Sequence, residues 1–143
     1  MTVIATTVAA FVAALQAAPA VSADVERVRL RPWRAGVSSA IVVRPVRADV
    51  QDPQLMAGGA YAWATLVAVE CYARAATGTS PDAAVDALLA SAYARLMADQ
   101  TLGGAVRSIE PNGITFDFDV DEQSTACAVL VFTARQMTAP KTL

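Results

Sequence analysis

The chain has 143 residues, 55% of them hydrophobic and only 17% charged, with a formal net charge of −2 and no histidine. A length of that order fits a single domain, residues 1–143, that buries about 70% of its unfolded surface in a proper core. Without histidine it lacks the commonest general base and zinc ligand, and its mild acidity weighs against sequence-specific DNA binding.

Residues 3–23 are apolar, and Val21-Ser22-Ala23 would satisfy a signal-peptidase rule. No Lys or Arg precedes Arg27, so the positively charged start of a secretory leader is missing. Ile4, Val8, Phe11, Val12 and Leu15 recur at helical spacing, with Thr7 and Gln16 elsewhere on the wheel. This predicts an amphipathic helix over residues 3–17, docked on a sheet and stopped by Pro19. Thr, Gln and Pro interrupt the stretch too often for a membrane span.

Residues 25–30 read as a strand, with Val28 and Leu30 on one face and Arg27, Arg29 and Arg31 on the other. Residues 40–50 form a second strand whose Pro45 suits an edge or a bulge. A loop follows, in which Asp52-Pro53 and Gly58-Gly59 bracket an apolar tip at Leu55 and Met56. Such a tip is tucked under the domain or offered to a partner, and we expect the second. Residues 60–75 are long and apolar, as in a central strand, with Trp63, Thr65, Val67, Val69 and Cys71 on one face.

Ser80 and Pro81 open a second helix as N-cap and first helical residue. Asp82 and Asp86 lie near its positive end and Arg95 near its negative end. Val85, Leu88, Leu89, Ala92, Tyr93 and Leu96 make its buried stripe. Thr101-Leu-Gly-Gly104 breaks it, and Ile109-Glu-Pro-Asn-Gly113 is expected to turn tightly. In the next strand Ile114, Phe116, Phe118 and Val120 are expected to face the core, with Thr115, Asp117, Asp119 and Asp121 facing out. Residues 127–134 have almost no polar positions, as in a strand covered on both faces. The fold class is therefore α+β, a largely antiparallel or mixed sheet of about five strands with two helices packed on it.

Asp86-Ala-Leu-Leu89, Tyr93-Ala-Arg-Leu96, Leu102-Gly-Gly104, Ile109-Glu-Pro-Asn-Gly-Ile114 and Phe116-Asp-Phe-Asp119, running into Thr125-Ala-Cys127, occur in that order over roughly the last 60 residues. In this the chain resembles the C-terminal half of tail terminator (tail completion) proteins of long-tailed bacteriophages and prophages. The resemblance implies a small α+β protomer in a hexameric ring. That ring would cap the finished tail tube, end its polymerisation and offer a surface to the head or neck connector, in the host cytoplasm during assembly and in the virion tail afterwards. It implies no enzymatic residues and no cofactor.

Charge distribution fits such an assembly. Residues 24–50 carry six arginines against three acids, whereas residues 82–122 carry eight acids against two arginines. A chain polarised in this way suits head-to-tail contacts between copies, although two unrelated solvated faces would produce the same count. Arg27, Arg29 and Arg31 on one side, and Asp117, Asp119 and Asp121 on the other, are the expected subunit-interface or lumen residues. In a lumen the arginines would meet passing DNA through its phosphates, without reading sequence. Asp52, Leu55 and Met56 are the expected contacts with the tail tube protein.

Other chemistry fits poorly. Asp117, Asp119 and Asp121 begin like a calcium loop, but Glu122 stands where glycine is required and the distal glutamate is missing. Cys71 and Cys127, 56 positions apart in apolar patterns, are expected as buried free thiols. No acid, base and nucleophile set is visible, so neither an enzyme nor a metal site is expected. The alternatives are another head-to-tail connector protein or, from a different class, a secreted ligand-binding module led by residues 1–23.

Overall fold

The first helix begins where Thr2 turns its hydroxyl back to accept the Ala5 amide at 3.2 Å. Helix α1 spans Val3–Gln16, and Val8, Phe11 and Leu15 are wholly buried along one stripe. Thr7 is buried on the same side and not out in solvent as its polarity suggests. Its hydroxyl donates to the Val3 carbonyl at 2.8 Å and receives the Gln136 side-chain amide, so its burial leaves no unmet bond.

This computed structural model describes residues 1–28, 36–51, 59–117, 125–139 and 142–143. After α1 come strands β1 (Val25–Arg27), β2 (Ser39–Gln51) and β3 (Tyr61–Arg74), helix α2 (Pro81–Ala98), then β4 (Ser108–Asp117) and β5 (Thr125–Thr138). They form one five-stranded sheet in the order β1-β2-β3-β5-β4. Strand β1 pairs with β2 in parallel and every other pairing is antiparallel, so the expected mixed α+β architecture is observed. The long strand β3 is central, and Thr65, Val67, Val69 and Cys71 are wholly buried on one face. Pro45 coincides with a register shift in β2 between Pro45 and Arg47, the bulge that its missing N–H demands.

Both helices lie on one face of the sheet. Phe132 of β5 sits between Phe11 of α1, with ring centroids 5.7 Å apart, and Tyr93 of α2, at 6.4 Å. Around that aromatic centre the buried side chains of α1, α2 and the sheet join in one cluster. No helix among the described residues is long and apolar enough to cross a membrane.

Four expectations need correction. The first strand ends at Arg27: Val28 still donates its amide to the Val43 carbonyl at 3.0 Å but turns to φ +46. The turn expected at residues 109–113 lies within β4, where the register shifts between Pro111 and Gly113. On an edge strand a proline and a bulge are tolerated without reversing the chain. Strand β5 is covered on one face only: Ala126, Ala128, Leu130, Phe132 and Ala134 are wholly buried beneath the helices, whereas Cys127, Val129, Val131 and Thr133 on the other face are half-buried. Side-by-side neighbours shelter that second face, so it can be apolar without a covering layer. Finally, Tyr93 is 39% exposed despite its place on the apolar stripe of α2.

Candidate functional site

A sheet of five strands has two ends, and these are where the expected contact residues fall. Four inter-strand spacings separate β1 from β4, about 19 Å. At the β1 end Arg27 is exposed; Arg29 and Arg31 lie outside the described residues. Among the described residues β1 pairs with residues 41–43, and the following stretch of β2 has no strand beside it on that side. It presents Arg44 and Arg47, both exposed. Arg44 reaches Glu70 on β3 at 2.5 Å and Arg47 reaches Asp49 at 2.7 Å. Exposed pairs of this kind are worth little individually, and both leave the guanidinium near the surface for a further acceptor.

At the opposite end, β4 pairs only with β5 among the described residues. Asp117 is exposed there; Asp119 and Asp121 lie outside the described residues, as do Asp52, Leu55 and Met56 of the loop expected to meet a tail tube. The structure therefore describes Arg27 and Asp117 from the two expected rows, and it puts them at opposite ends of one sheet. They do not meet within a protomer.

The β4 end holds more than the sequence indicated. Ile114 and Phe116 pair in register with Leu130 and Ala128, which are wholly buried, so they lie on the helix side as expected. Yet they are not core: Ile114 is 45% exposed and Phe116 53%. Helix α2 packs over β3 and β5 and stops short of β4. Beside Phe116, the first turns of α2 bring Asp82, Ala83 and Asp86 to the rim of an open notch of about 360 Å³. Asp82 is held below the usual carboxylate range by the Ser80 hydroxyl, with help from the Ala83 amide. Ser80 thus occupies the N-cap position but spends its hydroxyl on a carboxylate, not on a helix amide. Among the described residues no ion pair forms to Asp82, Asp86 or Asp117. Alternation along β4 reveals which face Phe116 takes; nothing in the spacing says that the helix above it ends one strand short.

The remaining reactive groups are quiet. Burial pushes the Cys71 thiol up to about 12 and the Cys127 thiol up to about 11, so neither is a thiolate at neutral pH. Cys71 is buried as expected, but Cys127 is only half-buried on the open sheet face; neither forms a disulfide. On that face Glu70 accepts the Tyr72 hydroxyl at 2.8 Å as well as Arg44, and burial followed by the Glu70 bond pushes the Tyr72 phenol well above its ordinary value. Among the described residues no group of three or more metal-ligating side chains comes together.

No family model matches the chain, and no curated protein matches it. Among solved structures, a chain of the virion of a native gene transfer agent particle is similar over 91% of this chain and 93% of that chain, with 18% sequence identity and a TM-score of 0.47. A likeness of that degree establishes neither a common fold nor a common role.

Proposed function

We propose that the protein is a structural component of a phage-type virion, a tail terminator whose copies form a hexameric ring on the last layer of the tail tube. Docking is its mechanism: the ring matches the exposed edge of the tube, masks the surface where another layer would add, and presents its other face to the head or neck connector. The observation that carries this reading is the placement of unlike chemistry at the two ends of one sheet. Exposed arginines stand on the β1–β2 edge, and exposed carboxylates with half-exposed aromatic and aliphatic side chains stand on the β4 edge. A protomer with such ends associates head to tail, and a head-to-tail contact that closes makes a ring. The resemblance of the last 60 or so residues supports the particular role, since the described residues of its pieces fall on α2, the Gly-Gly turn, β4 and β5 in order.

In this reading the protein acts without catalysis, cofactor or metal, and DNA meets it only through phosphates in the lumen. Electron microscopy of tails assembled in its absence tests the role. Overlong tubes are expected; tubes of normal length that merely lack heads would make it a neck protein instead.

A further inference from the structure

On the sheet face away from the helices, a second notch of about 350 Å³ opens where β3 begins, β5 ends and β4 starts. Strand register places its residues. Met137 pairs with Ala62, Ala62 with Gln51, and Arg135 with Ser108. Their neighbours along β5, Ala134 and Gln136, are buried beneath the helices, so these partners point the other way. Ala62 gives the notch a low floor, and half-buried Gln51 and Ser108 bring an amide and a hydroxyl to its rim. Arg107 and Arg135 form its wall, both exposed, and among the described residues no acid lines it.

The Arg107 amide donates to the Arg135 carbonyl at 2.9 Å, which extends the β4 ladder and sets the two arginines side by side. Nη1 of Arg107 rests on Met137 Sδ at 2.9 Å. A thioether is a weak acceptor, so it positions the guanidinium yet yields to a stronger one. Arg107 forms no ion pair among the described residues, and Arg135 reaches Glu110 only at 3.3 Å, the longest of the described pairs. Asp117, the unpaired acid of β4, lies eight places along β5 from Arg135, about 27 Å away.

Two guanidinium groups with neutral donors beside them match an oxyanion whose oxygens point in several directions, as those of a phosphate do. So exposed a site gains little from a free ion. A polyanion does better, because neighbouring phosphates keep the local concentration high and each contact releases a condensed counterion. Resting on the reading proposed above, in which DNA is met through its phosphates, we infer that this notch seats a backbone phosphate of DNA. Arg107 is its main donor, and Arg135, Ser108 and Gln51 complete the cradle. The sheet face without helices is then the one turned to the lumen, and no base is read.

Anisotropy of a short labelled DNA duplex at about 50 mM salt tests this on the full chain. Arg107→Gln is expected to weaken binding about tenfold and to lower the slope of log K against log salt by about 0.9, the signature of one lost phosphate contact. Glu110→Gln, which frees Arg135, is expected to tighten binding about threefold, the worth of one exposed pair. Both positions are exposed; circular dichroism checks the folds of the variants and light scattering their self-association. Unchanged affinity in Arg107→Gln, or a loss confined to Arg27→Gln on the far edge, overturns the notch. Displacement of the duplex by inorganic phosphate at constant ionic strength would make it a site for the free ion and overturns the DNA assignment. So does joint loss of self-association and DNA binding in Arg107→Gln, since the notch would then hold a carboxylate of another copy. Wild-type rings that bind no DNA overturn the notch and leave the ring. A chain that stays monomeric yet binds DNA through Arg107 keeps the notch and sinks the ring.

Discussion

Replacing Arg95 with methionine removes a tie between the two helices while leaving most of the apolar stem in place. The guanidinium donates from Nη1 to the Ala17 carbonyl at 2.7 Å and to that of Ala14 at 3.3 Å, and from Nη2 to that of Pro19 at 2.6 Å. These are carbonyls at and just beyond the C-terminal end of α1, where a helix leaves acceptors without partners. A hydrogen bond from a charged donor contributes about 1.5–3 kcal/mol when sheltered. Arg95 is only half-buried, so water recovers much of that, and the three bonds together are worth about 2 kcal/mol. Methionine is nearly as good a helix former as arginine, so α2 itself loses little. With a urea dependence of about 2 kcal/mol per molar for a chain of this size, the unfolding midpoint should fall by about 1 M. Arg95→Lys should recover little of it, since one ammonium cannot span three carbonyls as a planar fork does. A midpoint within about 0.2 M of wild type for Arg95→Met would refute the reasoning, and would mean that water serves those carbonyls equally well.

Both thiols hold their protons more tightly in the folded chain than in the unfolded one, where the ordinary value is 9.0. The stabilisation from burying them neutral is present in full below pH 9 and is lost as pH rises toward 11 for Cys127 and 12 for Cys71. Denaturation midpoints should therefore decline above pH 9, and Cys71→Ser/Cys127→Ser should decline less steeply over that range. At pH 8, alkylation of the native protein should be slow for both thiols and slower for Cys71 than for Cys127. Val28, a β-branched residue at φ +46 with 44% of its surface exposed, sits in a region that glycine or asparagine occupies more easily. Val28→Asn should raise stability by about 0.5–1 kcal/mol, read as a higher melting temperature.

Much of the fold was legible because local chemistry and tertiary context agree. Ser80 and Pro81 announce α2, the Gly103-Gly104 pair ends its region with φ of 69° and 84°, and the apolar length of β3 marks it as central. Pro45 signalled a bulge and a bulge is there. What the sequence could not supply was coverage. Ile114 and Phe116 alternate as core residues do but lie past the margin of the helical layer, and Tyr93 keeps helical spacing with Leu89 and Leu96 and stacks on Phe132, yet leaves 39% of its surface exposed. The same limit explains β5, whose nearly unbroken run of apolar residues suggests two covered faces although only one carries helices. Arg95 was legible as a charge at the end of its own helix dipole. Its larger task, closing the end of α1, depends on a contact some 80 residues away in sequence. Of the two charged rows, Arg27 and Asp117 stand exposed at opposite ends of the sheet, and the alternation of the strands placed them on its surface without saying which ends they would occupy.

The most direct test of an account built on self-association is the molar mass of the purified protein, measured by light scattering across a range of concentrations. A species several times the 14.9 kDa of one chain, six times for a hexamer, is the predicted result. A particle that remains at 14.9 kDa at every concentration would contradict it.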